Sequence, residues 1–129
     1  MKFEREQPDG RNAFTGYGEG YVEVNRRRHQ SSLVVSGESL ITGWPVAGVE
    51  GLAADHMAAI VALKPEVVLL GTGAKLRFPS PALLAPLYKA GIGVEVMDTP
   101  AACRTYNILQ GEGRNVLAAL IIQQDVAPA

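Results

Sequence analysis

A chain of 129 residues, 47% hydrophobic and 19% charged, is long enough to bury one core and too apolar to be disordered. Its 12 Lys and Arg against 13 Asp and Glu leave a net charge of −1, which excludes the broad field that steers nucleic acid or an anionic membrane surface. One cysteine excludes an internal disulfide, and the apolar stretch Val116 to Ile122 is far too short to span a bilayer.

The polar opening MKFEREQPDG leads into no apolar run, so no cleaved signal peptide is expected. The expectation is a cytoplasmic protein, not membrane-embedded, with a single domain over residues 1–129. Gly10, Gly16, Gly18 and Gly20 predict a mostly irregular segment before the first strand. Tyr21 to Val24 alternates like a half-buried strand, and Asn25 suits the left-handed position of a tight turn. Ser31 to Val35 and Leu40 to Trp44 read as two further strands separated by a turn at Gly37. Together they predict a small antiparallel sheet in the N-terminal half.

From Gly51 the rhythm becomes helix and strand in turn. Leu52 to Lys64 carries an apolar face at helical spacing, and Pro65 stops it. Val67 to Leu70 is a continuous apolar run suited to a strand covered on both faces. Ser80 followed by Pro81 opens a helix that Gly91 closes. Ile92 to Met97 is the next strand. Thr99 and Pro100 repeat the cap-plus-proline device, and Gly111 fits the left-handed position past that helix. Val116 to Ile122 completes a βαβαβ order, which short connections make largely parallel.

Several residues invite chemistry. Gly71, Thr72 and Gly73 follow a strand, where a phosphate loop would sit. The third glycine and an immediate helix are missing, so a glycine-dependent turn is favoured over nucleotide binding. Lys75 and Arg77 keep open an anion at this loop. Cys103 lies one turn into a helix beside Arg104, where a thiolate is favoured, but no base can be placed near it. Asp98, Arg104, Asn107, Glu112 and Arg114 form the densest polar cluster, with Arg104 and Asn107 sharing one helix face. They fit either a pocket for a small anionic or amide-bearing molecule or a set of structural caps and pairs.

Arg26-Arg27-Arg28-His29 is the one basic run. Without interleaved aromatic residues it reads as a charged turn between edge strands and not as a nucleic-acid site. Two histidines and one cysteine supply no metal-ligand spacing, so neither metal nor cofactor is expected.

The runs Val67-Val68-Leu69-Leu70-Gly71-Thr72-Gly73 and Gly91 to Thr99, with Ala102-Cys103-Arg104-Thr105-Tyr106-Asn107 and Glu112-Gly113-Arg114, closely resemble one family. It includes the mitochondrial respiratory complex I assembly factor 3, an adipogenesis-associated cytosolic protein, and uncharacterised bacterial and archaeal proteins. The resemblance implies a three-layer α/β fold: a central, mostly parallel mixed sheet with flanking helices, plus a small antiparallel sheet. It also implies that Asp98 to Asn107 and Gly71 to Gly73 are family hallmarks, and it transfers no catalytic role.

Two functions follow. One is a non-catalytic accessory protein that binds a protein partner, in the manner of an assembly factor for a membrane respiratory complex. Phe78, Trp44 and Tyr17 would be its exposed contacts, and an edge strand of the small sheet would be its homodimer surface. The other is a small-molecule or anion binder, or a modest enzyme, built on Asp98, Thr99, Cys103 and Arg104. The first is preferred because no complete catalytic set can be assembled.

Overall fold

The computed structural model describes residues 11–123. Five strands form a central mixed sheet: β4 (Leu33–Ser36), β5 (Leu40–Thr42), β6 (Val67–Gly71), β7 (Gly93–Met97) and β8 (Val116–Leu120), in the order β5-β4-β8-β6-β7. β8, β6 and β7 run parallel, while β4 and β5 are antiparallel additions beyond β8. The second sheet is antiparallel: β1 (Phe14–Gly18), β2 (Tyr21–Val24) and β3 (Arg27–His29), in sequence order.

Three helices cover the central sheet. Successive residues of a strand point to opposite faces, and here both faces are dry, which is why β6 and β8 are apolar throughout. Val68, Leu70, Leu117, Ala119 and Ile121 face one core with α1 (Ala54–Ala62) and α2 (Pro81–Lys89). Val67, Leu69, Val116, Ala118 and Leu120 face the other, which holds α3 (Thr99–Gly111) and the apolar side of the small sheet, Phe14, Val22 and Val24. The expected three-layer α/β arrangement is therefore present.

Four local expectations need correction. The glycine-rich segment forms β1, because Gly18 lets the Tyr21 ring lie against it; a Cβ there would sit 2.5 Å from that ring. The strands around Ser31–Val35 and Leu40–Trp44 join the central sheet and not the small one. Leu33 to Val35 is buried on both faces, an environment only the space beside β8 provides. Asp98, not Thr99, caps α3: its Oδ1 accepts the Ala101 N–H at 2.8 Å. Gly111 is the last helical residue, and Gly113 takes the left-handed conformation at φ +82°. Ser80 does cap α2, Gly91 (φ +77°) does close it, and Asn25 does adopt positive φ.

Candidate functional site

Open α/β sheets place ligands at the carboxyl ends of their parallel strands. Here a cleft of about 220 Å³ lies at that end, bounded by Tyr17 and Tyr21 of the small sheet, Gly73, Thr99 and Pro100 of the α3 entry, and Ile122. Gly71 and Gly73 make its floor possible. A Cβ at Gly71 would stand 2.7 Å from Leu120 and 3.1 Å from the Thr99 backbone, and Gly73 adopts φ +103°.

Thr99 is buried and joins three segments. Its hydroxyl accepts the Gly73 N–H at 2.8 Å and donates to the Ile121 carbonyl at 2.8 Å, while its own N–H donates to Gly73 O. Thr72, also buried, closes the neighbouring loop. Its hydroxyl donates to the Lys75 carbonyl at 2.7 Å and accepts the Arg77 N–H at 3.1 Å. The Thr72 and Thr99 hydroxyls and the Thr72, Gly73 and Arg77 amides are therefore already engaged within the fold. Lys75 itself is exposed, and Arg77 pairs with Glu50 across 3.3 Å.

Cys103 does not open into the cleft. It is fully buried in the α3 core beside Ala102 and Tyr106. Burial pushes its thiol up to about 12, against the weaker opposing pull of Arg104. His56, one of the two histidines, stacks edge-on with Trp44 in the layer containing α1, and its Nδ1 accepts the Ala53 N–H. A protonated, buried thiol without an adjoining base is a packing group. The exposure expected of Trp44 is likewise overturned, since only 9% of it reaches solvent.

Arg104 and Asn107 do share a face, and that face grips β1. Arg104 Nη1 donates to the Tyr17 hydroxyl at 3.0 Å, at the cleft rim. The Asn107 amide donates to Phe14 O at 2.7 Å and accepts the Phe14 N–H at 2.9 Å. Between them Tyr106 stands edge-on to Phe14, with 5.1 Å between ring centroids, and donates to Asn12 O.

Glu112 and Arg114 are not part of this end. α3 has 13 residues, so at about 1.5 Å per residue its termini lie roughly 20 Å apart. Glu112 ends the helix, and Arg114 Nε donates to Glu66 at 2.8 Å. The polar cluster read from the sequence therefore divides: Thr99 lines the cleft, Asp98 beside it caps α3, Arg104 and Asn107 hold β1, and Glu112 and Arg114 lie at the far end. Tyr17 and Tyr21 were missed as cleft walls. Their signal was the hairpin pattern Tyr17-Gly18-Glu19-Gly20-Tyr21, in which Gly20 takes φ +76°. Among the described residues no group of three or more His, Cys, Asp or Glu side chains could hold a metal, and no helix is long and apolar enough to cross a membrane.

A mixed sheet with helices on both faces, a subsidiary antiparallel sheet clipped to α3 and a narrow cleft at the strand ends define a small three-layer α/β class. Within it, the chain belongs to the family described as a protein of unknown function (DUF498/DUF598), whose model matches residues 14–121. It is 30% identical over 109 residues to a 13 kDa major membrane protein of Francisella tularensis, covering 84% of this chain and 89% of that one. It is 41% identical over 83 residues to the NADH dehydrogenase [ubiquinone] 1 alpha subcomplex assembly factor 3 of Danio rerio. That match covers 63% of this chain and 48% of the relative, so the chain spans about half that relative's length. A crystal structure of a Bordetella parapertussis protein superposes with a TM-score of 0.82 at 41% identity, covering 88% of this chain and 97% of the other.

Proposed function

We propose that this protein is a non-catalytic accessory factor that acts as a single cytoplasmic domain, docks on a protein partner and assists the assembly of a membrane respiratory complex. The observation that carries this reading is Phe78, which is 72% exposed on the loop between β6 and α2, two residues from the exposed Leu76. Thr72 fixes that loop from beneath, so the aromatic ring stands on an ordered support. A large apolar side chain held out in this way is the usual anchor of a protein contact. Among the described residues of the expected site, Asn107 and Asp98 bond to the backbone and Cys103 is buried, which supports a binding role over a catalytic one. The name of the assembly-factor relatives supplies the kind of partner.

The test is site-specific photo-crosslinking in cells of the source organism, with the photoreactive residue at position 78 and a control at Ile108, which is also exposed (62%). A discrete adduct at 78 that contains a subunit of a membrane NADH dehydrogenase supports the reading. Equal, diffuse labelling at both positions defeats it.

The cleft favours a second reading. Its volume suits one aromatic ring or a short acyl group, and its walls include Tyr17, Tyr21 and Ile122, so a small apolar molecule is its natural occupant. In this reading Gly73 and Thr99 shape the site, Arg104 holds the Tyr17 wall in place, Asp98 caps the adjoining helix, and no cofactor or metal takes part.

A further inference from the structure

β1, β3, β5 and β7 form the edges of the two sheets, and three of them are guarded. In the small sheet β1 is held by α3, and β3 carries the exposed Arg27 and Arg28. In the central sheet β7 carries the exposed Glu95. Charges on an edge strand keep another chain from adding to it. β5 has none. Its residues are Leu40, Ile41 and Thr42, flanked by Ser39 and Gly43, and Leu40 and Ile41 are large, apolar and exposed. Among the described residues no strand lies on its outer side.

The turn into β5 fixes where its backbone points. Ser36 donates its N–H to Ser39 O at 2.9 Å, so these two residues occupy a hydrogen-bonded position of the ladder. Hydrogen-bonded and non-hydrogen-bonded pairs alternate along antiparallel strands. Val34 and Ile41 are therefore the next hydrogen-bonded pair, and Leu40 and Thr42 turn their N–H and C=O groups away from β4. Gly43, at φ +68°, ends the strand, and the Trp44 N–H returns to Ser32 O. The outer edge thus offers donors and acceptors placed symmetrically about Ile41.

We propose that β5 is the contact surface for a second copy of this chain, paired antiparallel across a two-fold axis at Ile41. In that register Leu40 of one copy and Thr42 of the other exchange both backbone bonds, and the symmetric pair does the same, so every outward group of the strand is used. The two Ile41 side chains meet in a non-hydrogen-bonded pair, with Cα atoms about 4.5 Å apart. Both lie on the face that holds α1 and α2, because Ile41 stands opposite Val34 of that core. Charge also favours a second copy. The antiparallel register sends the two Glu38 side chains to opposite ends of the paired strands, roughly 20 Å apart and beyond the reach of a screened charge. A net charge of −1 sets up no strong repulsion between copies. A strand of three residues buries less than the roughly 1,200 Å² of a permanent dimer, so the association is reversible and weak. It joins two central sheets into one, with their clefts and Phe78 loops pointing in opposite directions, and it stands whether or not Phe78 contacts a partner.

Sedimentation equilibrium and backbone amide NMR of the full chain, from dilute solution to about 1 mM, should show a reversible dimer with shifts centred on Leu40–Thr42. Ile41→Lys sets like charges face to face at a position already exposed, so it should keep the fold and weaken association by about tenfold or more. Ile41→Cys should oxidise to a disulfide-linked dimer, because a Cα separation of about 4.5 Å can be bridged. Ile108→Cys, equally accessible on α3, should not, and the buried Cys103 does not compete. A chain that stays monomeric at every concentration overturns the proposal. So does a dimer that Ile41→Lys leaves intact, or a disulfide that forms no faster with Ile41→Cys than with Ile108→Cys. Concentration-dependent shifts in the small sheet or around Phe78, with β5 unchanged, would assign the contact to another surface and overturn it equally.

Discussion

Asn107 holds Phe14 by both of its backbone groups, donating to its carbonyl and accepting from its N–H across 93 positions of sequence. The side-chain amide does what a neighbouring strand would do, and it gives β1 a partner on the side away from β2. Two contacts of this kind, each worth about 1 kcal/mol net and more when a half-buried group is left unmet, make Asn107→Ala cost roughly 2–3 kcal/mol. Urea denaturation measures it. A loss below about 0.5 kcal/mol, within the range of ordinary surface changes, would show that water replaces the amide. Asn107→Asp keeps the acceptor and loses the donor, so its stability should lie between the two.

Cys103 makes stability fall in alkali. Its thiol ionises near its ordinary value of 9.0 in the unfolded chain and at about 12 when folded. Between those values the unfolded state has released a proton that the native state retains. The contribution is whole below pH 9 and is lost as pH rises toward 12, with a slope of up to about 1.4 kcal/mol per pH unit. Lysines and tyrosines also titrate there, so the informative quantity is wild type minus Cys103→Ala. That difference should shrink steadily above pH 9; a constant difference would mean that the thiol is solvated. Thiol reagents near neutral pH should label the protein only as fast as it unfolds.

Thr99→Val removes the hydroxyl that bonds both Gly73 and Ile121 while keeping its shape. Two buried backbone groups would lose their partners, at about 1–3 kcal/mol each. Gly71→Ala strikes the same junction from the other side, pressing a methyl group against Leu120 and the Thr99 backbone. An overpacking cost of about 1–3 kcal/mol is expected. Thermal melts of the two single variants and the double variant should be non-additive, because the sites touch. Full additivity would mean that the junction relaxes independently around each.

Arg114→Ala should matter little. Its partner Glu66 is half exposed, and such pairs contribute about 0.2–1 kcal/mol. A larger loss would point to the Lys64–Glu66 corner, where Glu66 also accepts the Asn115 N–H. Raising the salt concentration tells the two apart, since only the ion pair is screened.

The elements of the second half were legible because each announces itself locally. Ser80-Pro81 and Gly91 bracket α2, and the unbroken apolar runs of β6 and β8 require cover on both faces. Sheet membership was not legible for β4 and β5, since nothing in Leu33–Val35 says which edge it will join until β8 offers one. The candidate site misled for the same reason. Arg104, Asn107 and Asp98 look alike as polar residues on one helix, yet their partners are Tyr17, Phe14 and the Ala101 amide. Two of those three lie more than 85 positions away, beyond the reach of any spacing rule. Cys103 could be placed early in α3 from its cap, but the side of the helix on which it falls depends on the core.

The grip of Arg104, Tyr106 and Asn107 on β1 also ranks the molecule in time. β6 and β8 are locked within the sheet by neighbours on both sides, whereas β1 is tied to the rest of the fold by side-chain hydrogen bonds from α3 and by the packing of Phe14 in the shared core. Opening can thus proceed in an order: the three-stranded sheet lifts from α3 first, and the central sheet yields only with global unfolding. Because Tyr17 and Tyr21 belong to the part that lifts, the cleft they wall loses one side before the central sheet opens.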